Sequence, residues 1–127
     1  MQIKIIKKIL FFLLIFFYLF AGFNHFVNPS FYTPIIPPYL ALWAKEINLL
    51  SGFLEITLAL LLLFKATRLF AVKGIILLLI IFIPAHVYFI QKGYFTLGPF
   101  QITPLLSYIR LIIGQPILIL WVWWSSK

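Results

Sequence analysis

The chain contains no cysteine, only two acidic residues and a single methionine. Without a thiol there is no disulfide, no thiolate nucleophile, no iron–sulfur cluster and no Cys-ligated zinc. Any redox chemistry would need a borrowed cofactor. Charge is scarce too: 9% of residues are charged against 65% hydrophobic. A soluble domain is roughly half apolar and about a quarter charged, so this composition points to a membrane protein whose first partner is the lipid bilayer. The formal charge of +8 would suit nucleic acid. The basic residues instead flank apolar runs and form no patch or stripe, which excludes a nucleic-acid partner and marks them as topology signals. No Walker loop, nucleophile elbow or dinucleotide fingerprint is present, so an autonomous enzyme is not expected.

A length of 127 residues leaves room for one domain, residues 1–127, and about four spanning helices of roughly 20 residues each. Apolar runs fit that count at approximately 5–23, 47–64, 69–90 and 104–124. The expected fold is an all-α membrane protein, a four-transmembrane-helix bundle with an aromatic, proline-rich interfacial segment between helices 1 and 2. Lys4, Lys7 and Lys8 ahead of an apolar run also describe a signal peptide, but Ala21-Gly22 is a poor cleavage site and a retained span is expected. Asn24 to Glu46 holds Pro29, Pro34, Pro37 and Pro38, which rule out a continuous helix. Broken backbone does not sit in hydrocarbon, and aromatic residues favour the headgroup level. Phe31, Tyr32, Tyr39 and Trp43 are therefore expected to form a lid on the bundle, with a short helix from about Pro38 to Lys45. Lys65 to Arg68 reads as a tight basic connector. Pro84 should free the carbonyl of Ile80 and kink the third helix. Gln91 to Ile102 reads as a loop, Thr103-Pro104 as an N-cap with proline at the first helical position, and Trp121, Trp123 and Trp124 as an interfacial anchor. Lys4, Lys7, Lys8, Lys65, Arg68, Lys73 and Lys127 fall on one side, Lys45 and Lys92 on the other. The positive-inside rule then puts both termini in the cytoplasm.

The rare polar groups converge. At ~1.5 Å per residue, Glu55 lies roughly 12 Å and Arg110 roughly 9 Å from the outer ends of their helices. His86 lies near the outer end of helix 3, and His25 at that of helix 1, under the lid. An ionisable group at such depth costs about 2.5–3.5 kcal/mol on insertion scales unless partnered. Asn48, Ser51 and Glu55 share one stripe of helix 2, and Ser107, Arg110 and Gly114 share one of helix 4. Glu55 and Arg110 are the only opposite charges deep in the bundle and are expected to meet, either as a structural pair or as a site for a polar headgroup. Gln115 is about 140° around a regular helix from Arg110 and fits less well, although Pro116 can distort that count. His86 either bonds a carbonyl freed by Pro84 or serves as a proton relay or ligand contact. His25 is either an interfacial amphipathic residue or part of the site. No HxxxH or HExxH spacing supports a metal, and both histidines sit at one edge, which disfavours bis-His haem. Candidate ligand-binding residues are His25, Asn48, Ser51, Glu55, His86, Arg110 and Gln115. Gly22, Gly52 and Gly114 suit close helix approach.

Ala21-Gly22-Phe23-Asn24-His25-Phe26-Val27-Asn28-Pro29-Ser30-Phe31-Tyr32, followed by Ile36-Pro37-Pro38-Tyr39-Leu40, resembles the first half of small DoxX-like membrane proteins. Ser51-Gly52-Phe53-Leu54-Glu55-Ile56 resembles their second-helix motif and Ile83-Pro84-Ala85-His86 their third. Ile109-Arg110-Leu111, Gln115 and Leu118-Ile119-Leu120-Trp121 resemble their fourth. The likeness runs in order along nearly the whole chain. It departs at His86, where many relatives carry Asn, and at Arg110 to Pro116, where a proline is expected closer to the arginine. The resemblance implies a four-helix bundle in the bacterial inner (plasma) membrane. The wider family includes a membrane subunit of an archaeal thiosulfate:quinone oxidoreductase, a methylamine dehydrogenase maturation protein, and members linked to oxidant-stress complexes. By that analogy the chain is expected to be an accessory subunit in redox or oxidative-stress physiology. It would bind a quinone-like or lipid-like molecule, or a redox-enzyme or other membrane partner, at the polar site in the outer half of the bundle. The alternatives are a small transporter or exporter component and a purely structural assembly protein.

Overall fold

The computed structural model describes all 127 residues of an all-α protein with one small hairpin. Helix α1 runs unbroken over Gln2–Val27, past the expected end at residue 23, because no proline or glycine interrupts Asn24 to Val27. Pro29 stops it by pushing Asn28 out of helical backbone, to φ −134° and ψ 64°. The proline-rich segment then folds as short pieces: α2 over Pro29–Tyr32, a 3-10 turn over Thr33–Ile35 and a 3-10 helix over Pro38–Trp43. The last of these leads straight into α3, Ala44–Leu62, so the helix expected from Pro38 to Lys45 is split between a 3-10 stretch and the first turn of α3.

Helix α4 covers Lys65–Ile81 and α5 covers Ile83–Lys92. The break at Phe82 is the kink expected of Pro84, which has no N–H to donate. Lys65 to Arg68 is not a connector but the first turn of α4, and only Leu63 and Phe64 join the helices. The reason lies in the end of α3. Thr67 Oγ1 donates to the Leu61 carbonyl at 2.8 Å and Arg68 Nε donates to the Leu62 carbonyl at 2.9 Å. Those carbonyls have no intrahelical partner, and a cation suits the negative end of a helix.

Within the stretch expected as a loop, β1 (Phe95–Leu97) pairs antiparallel with β2 (Phe100–Ile102), with Leu97 opposite Phe100. Gly98 supplies the positive φ of 57° at the tip. A Cβ there would lie 2.9 Å from the Phe31 ring, so the hairpin tip rests on the proline-rich segment. Lys92 Nζ adds a bond of 2.9 Å to the Pro34 carbonyl.

The last helical stretch starts at Pro104, with Thr103 Oγ1 accepting from the Leu106 amide at 3.3 Å as the N-cap spacing predicts. It passes from α6, Pro104–Ile109, through a π turn at Arg110–Gly114 into α7, Gln115–Ser125. The Gln115 amide donates to the Arg110 carbonyl, five residues back. Pro116 cannot donate to the Ile112 carbonyl, and one extra residue in the turn accommodates that missing bond.

Three helical stretches are long and apolar enough to cross a membrane: Gln2–Val27, Lys65–Lys92 and Pro104–Ser125. Helix α3 has 19 residues, and Lys45, Glu46 and Glu55 interrupt its apolar run. It nevertheless packs between α1 and α4. The core is built from Leu14, Ile15 and Tyr18 of α1, Leu58, Ala59 and Leu62 of α3, Ala71, Val72 and Ile75 of α4, and Val122 of α7. Trp121, expected as an interfacial anchor, turns partly inward, because its Nε1–H donates to the Leu10 carbonyl at 2.9 Å. Trp123 stays exposed.

Helices α1 and α3 come close at Gly22 and Gly52. A Cβ on Gly22 would meet the Gly52 carbonyl oxygen at 2.9 Å, and one on Gly52 would meet the Gly22 oxygen at 2.8 Å. Small residues at a helix interface let backbones come this near. Gly114 does not serve that purpose: what a Cβ there would meet is the Arg110 side chain, with Nη1 at 3.1 Å.

Candidate functional site

The Gly22–Gly52 contact sets the next turn of each helix side by side, and there the sequence has placed His25 and Asn48. Asn48 Nδ2 donates to the His25 carbonyl at 2.9 Å, which orients its amide so that Oδ1 faces His25 Nδ1 at 2.7 Å. An amide oxygen only accepts, so Nδ1 carries the hydrogen. His25 Nε2 then faces Glu55 Oε2 at 3.1 Å. A lone pair against a bare carboxylate would repel at that distance. Protonated on Nε2, His25 faces the carboxylate as an ion pair. The geometry is that of an ion pair off the line of a hydrogen bond, and Oε2 keeps no directed donor.

Glu55 is thus partnered by His25 and not by Arg110 as its charge suggests. Helical spacing fixes which residues share a face but not what lies against it, and the glycine contact brings α1, not the Arg110 helix, against this face of α3. His25, Asn48, Ser51 and Glu55 are all buried. Tyr32 covers them, its ring stacked on His25 with centroids 3.7 Å apart and planes 12° from parallel. Its hydroxyl donates to the Ala21 carbonyl at 3.2 Å and accepts from Asn24 Nδ2 at 3.1 Å. Burial pushes the Tyr32 phenol above its ordinary pKa, the Asn24 bond opposing and the nearby Glu55 reinforcing that shift. Phe31 packs edge-on against Tyr32. Tyr39 and Trp43 do not join this lid. The 3-10 helix turns them outward, 74% and 58% exposed, because the hairpin tip and Lys92 hold the earlier residues of the segment over the bundle.

Arg110 forms a second cluster. Its Nη1 donates to Gln115 Oε1 at 2.5 Å, and Gln115 Nε2 donates to the Leu79 carbonyl at 2.7 Å, one turn before the Pro84 break. The angular objection to Gln115 fails because the π turn gives this segment more residues per turn and brings positions five apart onto one face. His86 binds neither a carbonyl nor a side chain through Nδ1, which is buried and unpartnered, and its ring leans on Phe89. Helix α5 packs on α6 and on the π turn, and His86 lies within electrostatic reach of Arg110.

Two residues outside the predicted set complete the picture. Tyr18 lies within electrostatic reach of both Glu55 and Arg110, with its hydroxyl buried and unpartnered. The sequence did carry a signal for it. Tyr18, Gly22 and His25 are spaced four then three along one stripe of α1, and Tyr18 is the one hydroxyl in a phenylalanine-rich run. Ser107, one turn before Arg110, is 1% exposed and its Oγ is also without a partner. Tyr18 OH, Glu55 Oε2, His86 Nδ1 and Ser107 Oγ thus come from α1, α3, α5 and α6 and are all buried without a hydrogen bond. Buried polar groups are nearly always paired, which sets these four atoms apart from the rest of the bundle. No group of three or more His, Cys, Asp or Glu is placed to hold a metal ion.

No curated protein and no solved structure matches the chain. A family model described as a domain of unknown function (DUF8561) matches residues 14–126, which takes in both clusters, and the chain belongs to that family.

Proposed function

We propose that this protein is a membrane-embedded accessory protein that holds the polar head of a small amphiphile, quinone-like or lipid-like, beneath the Tyr32 lid. In this reading all four long helical units cross the bacterial inner membrane, α3 included. Both termini lie in the cytoplasm, where seven of the basic residues gather (Lys4, Lys7, Lys8, Lys65, Arg68, Lys73 and Lys127). The polar clusters then sit in the outer half of the membrane. The four buried unpartnered polar atoms carry the proposal, because a head that accepts from the Tyr18 and Ser107 hydroxyls and donates to Glu55 Oε2 would satisfy them without rearranging the bundle. The DoxX-like pattern of the sequence points in the same direction, toward redox or oxidative-stress physiology beside a larger membrane enzyme.

Holding fits better than translocation. The other half of the bundle is closed by Leu14, Leu62, Ala71, Ile75 and Val122, each fully buried, and offers a polar solute no continuation. An open groove of about 510 Å³ between α1 and α7 at that end is lined only by apolar residues, which cannot orient a head.

The test is mild extraction of the full chain from its native membrane, followed by mass spectrometry of the small molecules that come with it. A stoichiometric amphiphile is expected, and Glu55→Gln should lose most of it. Extraction of a folded protein with no bound small molecule, or equal retention by Glu55→Gln, would refute the proposal.

A further inference from the structure

We infer that Arg110 and the unpartnered donors around it form an oxyanion site, so that the held head bears a phosphate or carboxylate group. This rests on the amphiphile-holding reading and chooses between the two kinds of head that it allows. The choice follows from charge. The chain has two acidic residues. Glu46 is exposed in the first turn of α3, and Glu55 faces His25 Nε2 at 3.1 Å. No carboxylate is therefore left for Arg110. Its one side-chain bond goes to a neutral amide oxygen, Gln115 Oε1, and uses one of five guanidinium N–H groups.

The surroundings are donors rather than acceptors. Ser107 Oγ and Tyr18 OH are 1% and 3% exposed by residue, lack partners and each carry a hydroxyl hydrogen. His86 Nδ1 supplies another in the matching tautomer. Gly114 leaves room for the Arg110 side chain to lie along its own helix, since a Cβ there would crowd Nη1 at 3.1 Å and Cδ at 3.3 Å. The carbonyl of a neutral head, such as a quinone, could satisfy these donors but would leave the charge of the half-buried guanidinium uncompensated. An oxyanion does both, and a guanidinium is well matched to phosphate and carboxylate. Glu55 does not compete for Arg110 while His25 holds it.

The full chain in a maltoside detergent is the sample. Thermal unfolding and native mass spectrometry are read after adding phosphatidate, palmitate, diacylglycerol, decylubiquinone or sodium phosphate. Phosphatidate and palmitate should be retained roughly tenfold or more over the two neutral amphiphiles, as expected for one hydrogen bond to a charged group. Arg110→Gln should abolish that preference and Ser107→Ala should weaken it. Arg110→Lys, which keeps the charge without the fork, should retain part of it. The two milder variants carry the test if Arg110→Gln does not fold. If the acidic amphiphiles alone bind, the oxyanion comes on a lipid. If sodium phosphate alone gives the same stabilisation, it comes as a free anion, and both results support the inference. Retention of decylubiquinone or diacylglycerol equal to that of the acids, or indifference to both Arg110→Gln and Ser107→Ala, would overturn the inference while leaving the amphiphile reading standing. Retention of none of the probes would overturn both.

Discussion

Gly52→Ala tests whether the approach of α1 to α3 assembles the His25 cluster. In an ordinary helix the change would stabilise by roughly 1 kcal/mol. Here the new Cβ would lie 2.6 Å from His25 Cβ and 2.8 Å from the Gly22 carbonyl oxygen, and ordinary contact begins near 3.4 Å. Neither obstacle is the free end of a side chain, so the helices must part by about 0.6–0.8 Å, the differences 3.4 − 2.8 and 3.4 − 2.6. A shift of that size stretches the Asn48–His25 bonds, now 2.7 and 2.9 Å, to the limit of useful hydrogen bonding. Overpacking typically costs about 1–3 kcal/mol and a weakened bond about 1 kcal/mol. Against the helix-propensity gain, the net loss is about 2 kcal/mol. Gly74→Ala is the control, because the nearest atoms to its Cβ belong to the Leu58 side chain, with methyl groups at 2.7 and 3.2 Å, and not to backbone. Both variants are compared with the parent by circular dichroism during unfolding in mixed SDS–maltoside micelles. Equal stability of Gly52→Ala and Gly74→Ala would refute the idea that backbone contact, rather than general packing, sets this interface.

Pro116→Ala restores a donor for the Ile112 carbonyl and should let the π turn relax to α-helix. Arg110 and Gln115 would then diverge by about 140°. A double-mutant cycle between Arg110→Met and Gln115→Leu should give a coupling of about 1.5–3 kcal/mol in the parent, and in Pro116→Ala a value within ~0.5 kcal/mol of zero. An undiminished coupling would mean that the turn does not depend on the proline. Tyr32 gives a pH prediction. Its folded phenol titrates above 10.0, so its contribution is fully present below that pH and is lost as pH rises through the folded value, while the unfolded chain ionises first. Stability measured across the alkaline range should fall above about pH 10, and Tyr32→Phe should make that fall shallower.

The helices were legible because hydropathy and helical period are local properties. The Asn48–Ser51–Glu55 stripe, the Pro84 kink and the Thr103 N-cap each follow from neighbours within about one turn. Partner choice is not local. Glu55 meets His25 because two glycines on different helices touch, and charge counting alone favours Arg110. The Arg110–Gln115 bond was hidden by a count that assumed a regular helix, although Pro116 was the visible sign that regularity fails there. The hairpin was hidden in a stretch read by its glycines and proline. Phe95-Thr96-Leu97 and Phe100-Gln101-Ile102 flank Gly98-Pro99, a β pattern on either side of a two-residue turn. Tyr39 and Trp43 misled because aromatic content predicts membrane depth but not which way a ring points.

The two clusters make better sense together than apart. Had Glu55 met Arg110, the bundle would hold one closed ion pair, and the guanidinium would have no uncompensated charge to offer a ligand. Asn48 prevents this by fixing the His25 ring so that its other nitrogen faces Glu55. The carboxylate is then occupied by a group that can share a proton with it. Arg110 is released, its reach steadied by Gln115, whose amide is in turn anchored on the Leu79 carbonyl near the Pro84 break. The kink in one helix and the π turn in another thus act on the same guanidinium. Tyr18 lies within electrostatic reach of both Glu55 and Arg110, so it feels a change of charge at either cluster.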